Sequence, residues 1–155
     1  MIQVSSKQSH LGSRGEHRFE SYFLDNGIFL AKPDKDLFRI DYIVEWNDQL
    51  VRVNVKTLHR RGARGRKGEF MCSTCTTSPG GFRLYTPDEI DYFGVVSLEY
   101  DHIWMIPLAA ARGFDLKWHS PEKKHRKRVD SFNWDPYLIN PVTKSVYQPE
   151  LVKLS

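Results

Sequence analysis

The 155-residue chain predicts an α/β (α+β) fold, a mixed central β-sheet flanked by helices. Three observations predict it. Phe19, Tyr22 and Phe23 recur at helical spacing within Arg14–Asn26. Two β-rich runs, Arg39–Trp46 and Gln49–Lys56, are joined by Asn47-Asp48, which is a hairpin signal. A second pair of apolar runs, Phe93–Ser97 and Ile103–Pro107, flanks Leu98–His102 and reads as another hairpin. A helix followed by strands is the order of a sheet with helices packed on it.

Taken in order, the helix is expected to start at Arg14, capped by Ser13, and to end at Asn26-Gly27. Glu16 and Glu20 fall on the same side of it as Phe19 and Phe23. A carboxylate on an inward face is unusual, because burying it unpaired is costly. Ile28–Lys32 is a short strand candidate broken by Pro33–Asp36. After the first hairpin, His59–Gly68 is a loop with three glycines and five cations, expected to be mobile without a ligand. Phe70–Thr76 reads as a strand closed by Ser78-Pro79-Gly80-Gly81. Thr86-Pro87-Asp88-Glu89 and Leu108–Arg112 read as helical turns. One domain, 1–155, is expected, with a core over about 13–108 and a basic, aromatic extension over 109–155.

Charge is segregated along the chain. Residues 59–70 carry net +4 and residues 117–128 net +5 against +4 for the whole, leaving −5 elsewhere. Such segregation suggests a polyanionic partner, with solvated loops as the plainer alternative. No apolar run approaches the roughly 20 residues of a membrane helix, and Met1–Ser13 lacks the apolar stretch of a signal peptide. No membrane partner is expected, and an intracellular location is the default. Two cysteines are too few for a disulfide scaffold.

The first hairpin concentrates the chemistry. If Asn47 and Asp48 form a two-residue turn, Trp46 faces Gln49 and Asp41 falls opposite Asn54. Directly opposed residues have Cβ atoms roughly 5 Å apart and share a face. Lys56 lies on that face too, since strand side chains alternate, while Val51, Val53 and Val55 form the buried one. A carboxylate, an amide and an ammonium at one strand edge are the parts needed to hold a divalent cation and steady a phosphate.

Gly15-Glu16, a helix ending in Gly27, a Pro-containing break, Arg39-Ile40-Asp41 and Val53-Asn54-Val55-Lys56-Thr57 together resemble the PD-(D/E)xK (restriction-endonuclease-like) nuclease core. More narrowly, the chain resembles the small homing endonucleases encoded within cyanobacterial group I introns. Tyr85–Val95 and Trp104-Met105-Ile106-Pro107 are similar to that branch as well, and the likeness spans roughly Gly15–Leu108. The resemblance implies a Mg²⁺-dependent endonuclease for double-stranded DNA, with Mn²⁺ as a substitute. It implies catalytic roles for Glu16, Asp41, Asn54 and Lys56. It also implies a metal held by Asp41, Asn54, Glu16 and the main-chain carbonyl of Val55. Asn54 departs from the usual Glu, Asp or Gln, and an amide oxygen binds Mg²⁺ more weakly than a carboxylate; Glu16 is the residue that could supply the missing charge. Pro33-Asp34 also spells the motif's first two letters, but Asp34 lies in a polar break, and cross-strand geometry favours Asp41. Arg60, Arg61, Arg64, Arg66 and Lys67 are the expected DNA-binding cations. Two-strand cutting of a long site implies a homo-oligomer, a tetramer on the family pattern or else a dimer, working in the bacterial cytoplasm or nucleoid.

Two rival functions stand beside this one: a structure-selective nuclease like a Holliday junction resolvase, and a non-catalytic DNA-binding module with Asn54 marking a decayed site. Other signals are weaker. Cys72-Ser73-Thr74-Cys75 would need two more zinc ligands, with His59 and His102 unsupported, so buried thiols are preferred. Trp118, Phe132, Trp134 and Tyr137 are expected to pack a C-terminal tail onto the core rather than stack on bases.

Overall fold

The computed structural model describes residues 7–34, 39–60, 68–121 and 132–140. Helix α1 spans Lys7–Asp25. The strands are β1 (Leu30–Ala31), β2 (Tyr42–Trp46), β3 (Gln49–Thr57), β4 (His59–Arg60), β5 (Glu69–Ser73), β6 (Cys75–Ser78), β7 (Gly81–Leu84), β8 (Tyr92–Ser97), β9 (His102–Pro107) and β10 (Asp115–His119). The central sheet has the order β1-β2-β3-β8-β9. It is mixed, because β3 and β8 run parallel while the other neighbours are antiparallel. A three-stranded sheet, β10-β5-β4, and the β6–β7 hairpin complete the described strands.

Side-chain alternation puts apolar residues on both faces of the central sheet. On one face Tyr42, Val44, Val51, Val53, Val55 and Val96 pack with Phe19 and Phe23 of α1. On the other, Phe93, Val95, Trp104 and Ile106 pack with Phe70, Cys72, Leu116 and Trp118 of the smaller sheet. The mixed sheet is therefore as expected, but among the described residues one helix covers one face and strands cover the other. That buried double face is why β8 reads as a continuous apolar run.

The β2–β3 register matches the sequence reading. Trp46 pairs with Gln49 and Tyr42 with Val53, which sets Asp41 against Asn54. Asn47 and Asp48 both have positive φ (51° and 62°), the type I′ turn that suits a two-residue hairpin. The second hairpin forms as expected, with His102 inside β9 rather than in its loop. Asp34 is exposed in the break after β1.

Three boundaries differ. Helix α1 begins at Lys7, so Ser13 lies within it and caps nothing. It ends where predicted: Gly27 takes φ 67° and Ile28 N–H reaches back to the Phe23 carbonyl at 2.9 Å, closing the last turn. The run around Phe70–Thr76 is split, because Thr74 leaves the strand to bond the Phe114 carbonyl through its amide and the Gly113 carbonyl through its hydroxyl, both at 2.9 Å. The region after residue 108 is no mere appendage: β10 pairs with β5 along five residues, and Trp118 and Trp134 are buried. Phe132 and Tyr137 stack on each other beside them, which is the packing role preferred for the aromatics.

Two glycines set how closely α1 sits on the sheet. A Cβ on Gly94 would lie 2.5 Å from the Phe19 ring. A Cβ on Gly15 would lie 1.8 Å from Thr57 Oγ1, with Thr57 Cβ and Cγ2 at 3.0 and 3.1 Å. Threonine is stiff at χ1, so turning it only swaps the methyl into the clash. Gly15→Ala gains about 1 kcal/mol in helix propensity, but overpacking costs ~1–3 kcal/mol. A lower melting temperature on thermal unfolding is the expected net result; a higher one would mean that α1 shifts away without cost.

Candidate active site

Helix α1, the bend before β2 and the far end of β3 meet at one edge of the sheet. β2 stops at Tyr42, whereas β3 continues to Thr57. Beyond Val53, the β2-side edge of β3 therefore has no ladder partner from β2, and Asp41 takes that place. Its N–H donates to the Val53 carbonyl at 2.9 Å, and its Oδ2 accepts the Val55 N–H at 2.7 Å. Within a strand, a residue's N–H and C=O point to the same edge. The Val55 carbonyl thus faces the Asp41 side.

Asn54 is 8 % exposed, and its Nδ2 donates to the Arg39 carbonyl at 2.9 Å. That bond fixes the amide orientation and leaves Oδ1 buried without a hydrogen-bond partner. An orphaned buried acceptor costs ~1–3 kcal/mol and calls for a ligand. Carboxylate, amide oxygen and main-chain carbonyl are hard donors of the kind Mg²⁺ takes, so this edge fits such an ion. Among the described residues, no three His, Cys, Asp or Glu side chains converge to hold an ion by themselves. A shell here would draw on neutral oxygens as well as charge.

Lys56 lies one alternation beyond Asn54. Its Nζ donates to the Tyr85 hydroxyl at 3.2 Å and sits 5.2 Å above the centre of the Tyr85 ring. Cys72 is near enough for the Lys56 charge to act on it. Burial nevertheless pushes its thiol up to about 12, against a smaller downward pull from Lys56. Cys72 is thus a buried neutral thiol, whereas Cys75 is half-buried on β6 with its Sγ 2.9 Å from Ser73 Oγ.

Glu16 approaches from α1, one residue after the Gly15–Thr57 contact. The buried Tyr42 hydroxyl shares its one proton between Glu20 Oε2 at 3.1 Å and the Glu16 carbonyl at 3.3 Å. Burial, the bond to Glu20 and the charges of Glu20, Glu16 and Asp41 all push the Tyr42 hydroxyl well above the usual tyrosine range. Three carboxylates thus act on this one phenol.

The site is braced from behind. Arg39, whose carbonyl holds Asn54, sends its guanidinium to Glu89 (2.8 Å), to Thr76 Oγ1 and to the Thr77 carbonyl. Arg83 grips the same carboxylate at 2.7 and 2.9 Å, and it is chiefly this bond that draws Glu89 down to about 2. Asp91 accepts the Arg52 amide at 2.8 Å and two guanidinium bonds at 3.0 Å, where β8 starts beside β3. Sequence reasoning missed Tyr85, Tyr42 and the Glu89 clamp. Only Tyr42, the neighbour of Asp41 opposite an inward-facing Glu20, left a readable signal.

Of the expected DNA-binding cations, Arg60 is exposed on β4 and pairs with Glu99 at 2.7 Å. Arg61, Arg64, Arg66 and Lys67 lie outside the described residues.

A family model described as PD-(D/E)XK endonuclease matches residues 6–135. In fold, the chain is similar to the solved structure of a bacterial homing endonuclease, I-Ssp6803I, with a TM-score of 0.67 and 15 % identity, covering 97 % of this chain and 99 % of that one. No curated protein matches in sequence. The match over most of the chain, extending past the edge where Asp41, Asn54 and Lys56 meet, shows that this protein belongs to the PD-(D/E)XK endonuclease family.

Proposed function

We propose that the protein is a Mg²⁺-dependent, site-specific endonuclease that cuts both strands of a long DNA duplex in the manner of a homing endonuclease, with Mn²⁺ as a working substitute. The observation that carries this reading is the buried, unpartnered Asn54 Oδ1 beside the Asp41 carboxylate at the open edge of β3. Bound there, the ion would supply Lewis acidity toward a water and the scissile phosphoryl oxygens. Asp41 contributes charge, and Asn54 Oδ1 and the Val55 carbonyl contribute neutral oxygens. Glu16 adds the second carboxylate that Asn54 does not provide. Lys56 orients the attacking water and offsets charge growing on the phosphoryl group.

The basic stretch Arg60–Lys67 begins in β4, a short way past the end of β3 in sequence, so it would track phosphates near the cutting site and read guanines through arginine. Its cations, with the fold similarity to a homing endonuclease, support DNA as the substrate. Incubating the protein with a randomised duplex library and Mg²⁺, then sequencing the cut ends, tests the reading. One long motif is expected at the cuts. Cleavage confined to branched DNA would favour a resolvase, and binding without cleavage in Mg²⁺ or Mn²⁺ would sink the enzyme reading.

Glu16→Gln is expected to slow metal-dependent turnover tenfold or more, about 1.4 kcal/mol in barrier. Wild-type rates across a Mg²⁺ titration would place Glu16 outside the chemistry.

Cutting both strands in one encounter needs two active sites related by a symmetry that matches the duplex. Light scattering of the DNA-free protein is expected to give about two or four times the 18.1 kDa chain mass. A strict monomer, free and on DNA, would argue for nicking.

A further inference from the structure

Glu20 has no part in the chemistry above, yet it stands on the inward face of α1 one turn from Glu16. Its Oε2 accepts the hydroxyl of Tyr42, a side chain 1 % exposed. The same hydroxyl reaches the Glu16 carbonyl at 3.3 Å. The Phe19 ring stacks on Tyr42 at 5.6 Å and holds it in place from the side. Tyr42 follows Asp41 directly in the chain, so whatever pins Tyr42 to α1 also sets how far the strand acid lies from the helix acid. Gly15 against Thr57 brings α1 close to β3, and buried Phe19 and Phe23 fix which helix face meets the sheet, but these are apolar contacts without a directional bond to β2. The Tyr42 hydroxyl adds that bond, to two groups one helical turn apart.

We propose that Tyr42 and Glu20 are positioning residues, whose shared hydrogen bond holds Glu16 of α1 in register with Asp41 so that both carboxylates face one divalent cation. The inference rests on the metal-dependent reading above. It assigns Glu20 a geometric role rather than a ligand role, because its Oε2 accepts the Tyr42 hydroxyl. The plainer alternative is that the hydroxyl is a core group that happens to be satisfied.

The probe is Mn²⁺ alone, titrated into the full chain and followed by the electron paramagnetic resonance signal of the free ion. Tyr42→Phe and Glu20→Ala are each expected to weaken Mn²⁺ binding about tenfold, as loss of an outer hydrogen-bonding partner commonly does. Glu20→Gln, which still accepts from the hydroxyl, is expected to stay within about twofold of wild type, whereas a residue acting by charge would lose as much as in Glu20→Ala. In cleavage assays the first two variants are expected to need more Mg²⁺ and to reach nearly the wild-type plateau. Should Tyr42→Phe fail to fold, Glu20→Ala at its half-buried position carries the same test. If Asp41→Asn abolishes Mn²⁺ binding while Tyr42→Phe and Glu20→Ala bind normally, the positioning role is wrong and the metal site stands. Equal losses in Glu20→Gln and Glu20→Ala would also overturn it. A wild type that takes up no Mn²⁺, or an Asp41→Asn that takes it up unchanged, removes the metal site and this proposal with it.

Discussion

Asp41→Asn is expected to lower the rate of DNA cleavage at least a thousandfold, ~4 kcal/mol in barrier, while leaving the fold in place. Asparagine keeps an oxygen to accept the Val55 N–H, so the bend before β2 retains its anchor and only the charge is lost. The loss is expected to be large because the neighbouring β3 position already holds a neutral amide, Asn54, where a second carboxylate would otherwise share the load. Single-turnover cleavage at saturating protein separates the chemical step from binding. Circular dichroism and the melting temperature check the fold. A rate within tenfold of wild type would mean that cleavage does not depend on Asp41, and the β3 edge would cease to be the site.

That edge was legible because a two-residue turn and a period of two leave no freedom. Once Asn47-Asp48 is taken as the turn, Asp41 must fall opposite Asn54, and a slip by one residue would turn Val51, Val53 and Val55 away from α1. Boundaries set by distant contacts were not legible. Nothing local in Cys72–Thr76 stops a strand; Thr74 leaves it for carbonyls of Gly113 and Phe114, nearly forty residues on. Ser13 looked like a cap because a serine before an amphipathic stretch resembles one, but α1 continues through it to Lys7. β10 does carry a local signal: Leu116 and Trp118 alternate with Asp115, Lys117 and His119, a half-buried strand pattern that the basic run after it masks. The partners of the site residues were the least legible. Tyr85 meets Lys56 only because the chain crosses from β3 through β4–β7 before returning.

Lys56→Met is expected to cost about a hundredfold to a thousandfold in the cleavage rate, the range for removing one donor aimed at developing transition-state charge. Methionine keeps an unbranched stem against the Tyr85 ring, so the loss reports the ammonium rather than a cavity. The surroundings favour a large effect. Lys56 touches a phenol hydroxyl rather than a carboxylate, and burial keeps the Cys72 thiol protonated across the physiological range, so neither is a carboxylate-like counter-ion for the lysine. Binding of uncleaved duplex, measured with Ca²⁺ in place of Mg²⁺, is expected to weaken much less than the rate falls, because one phosphate contact among many is lost. Equal losses in binding and rate would make Lys56 an ordinary phosphate contact. A rate within threefold of wild type would make it part of the wall around Tyr85, and the charge that offsets the phosphoryl group would have to come from the arginines that follow β3.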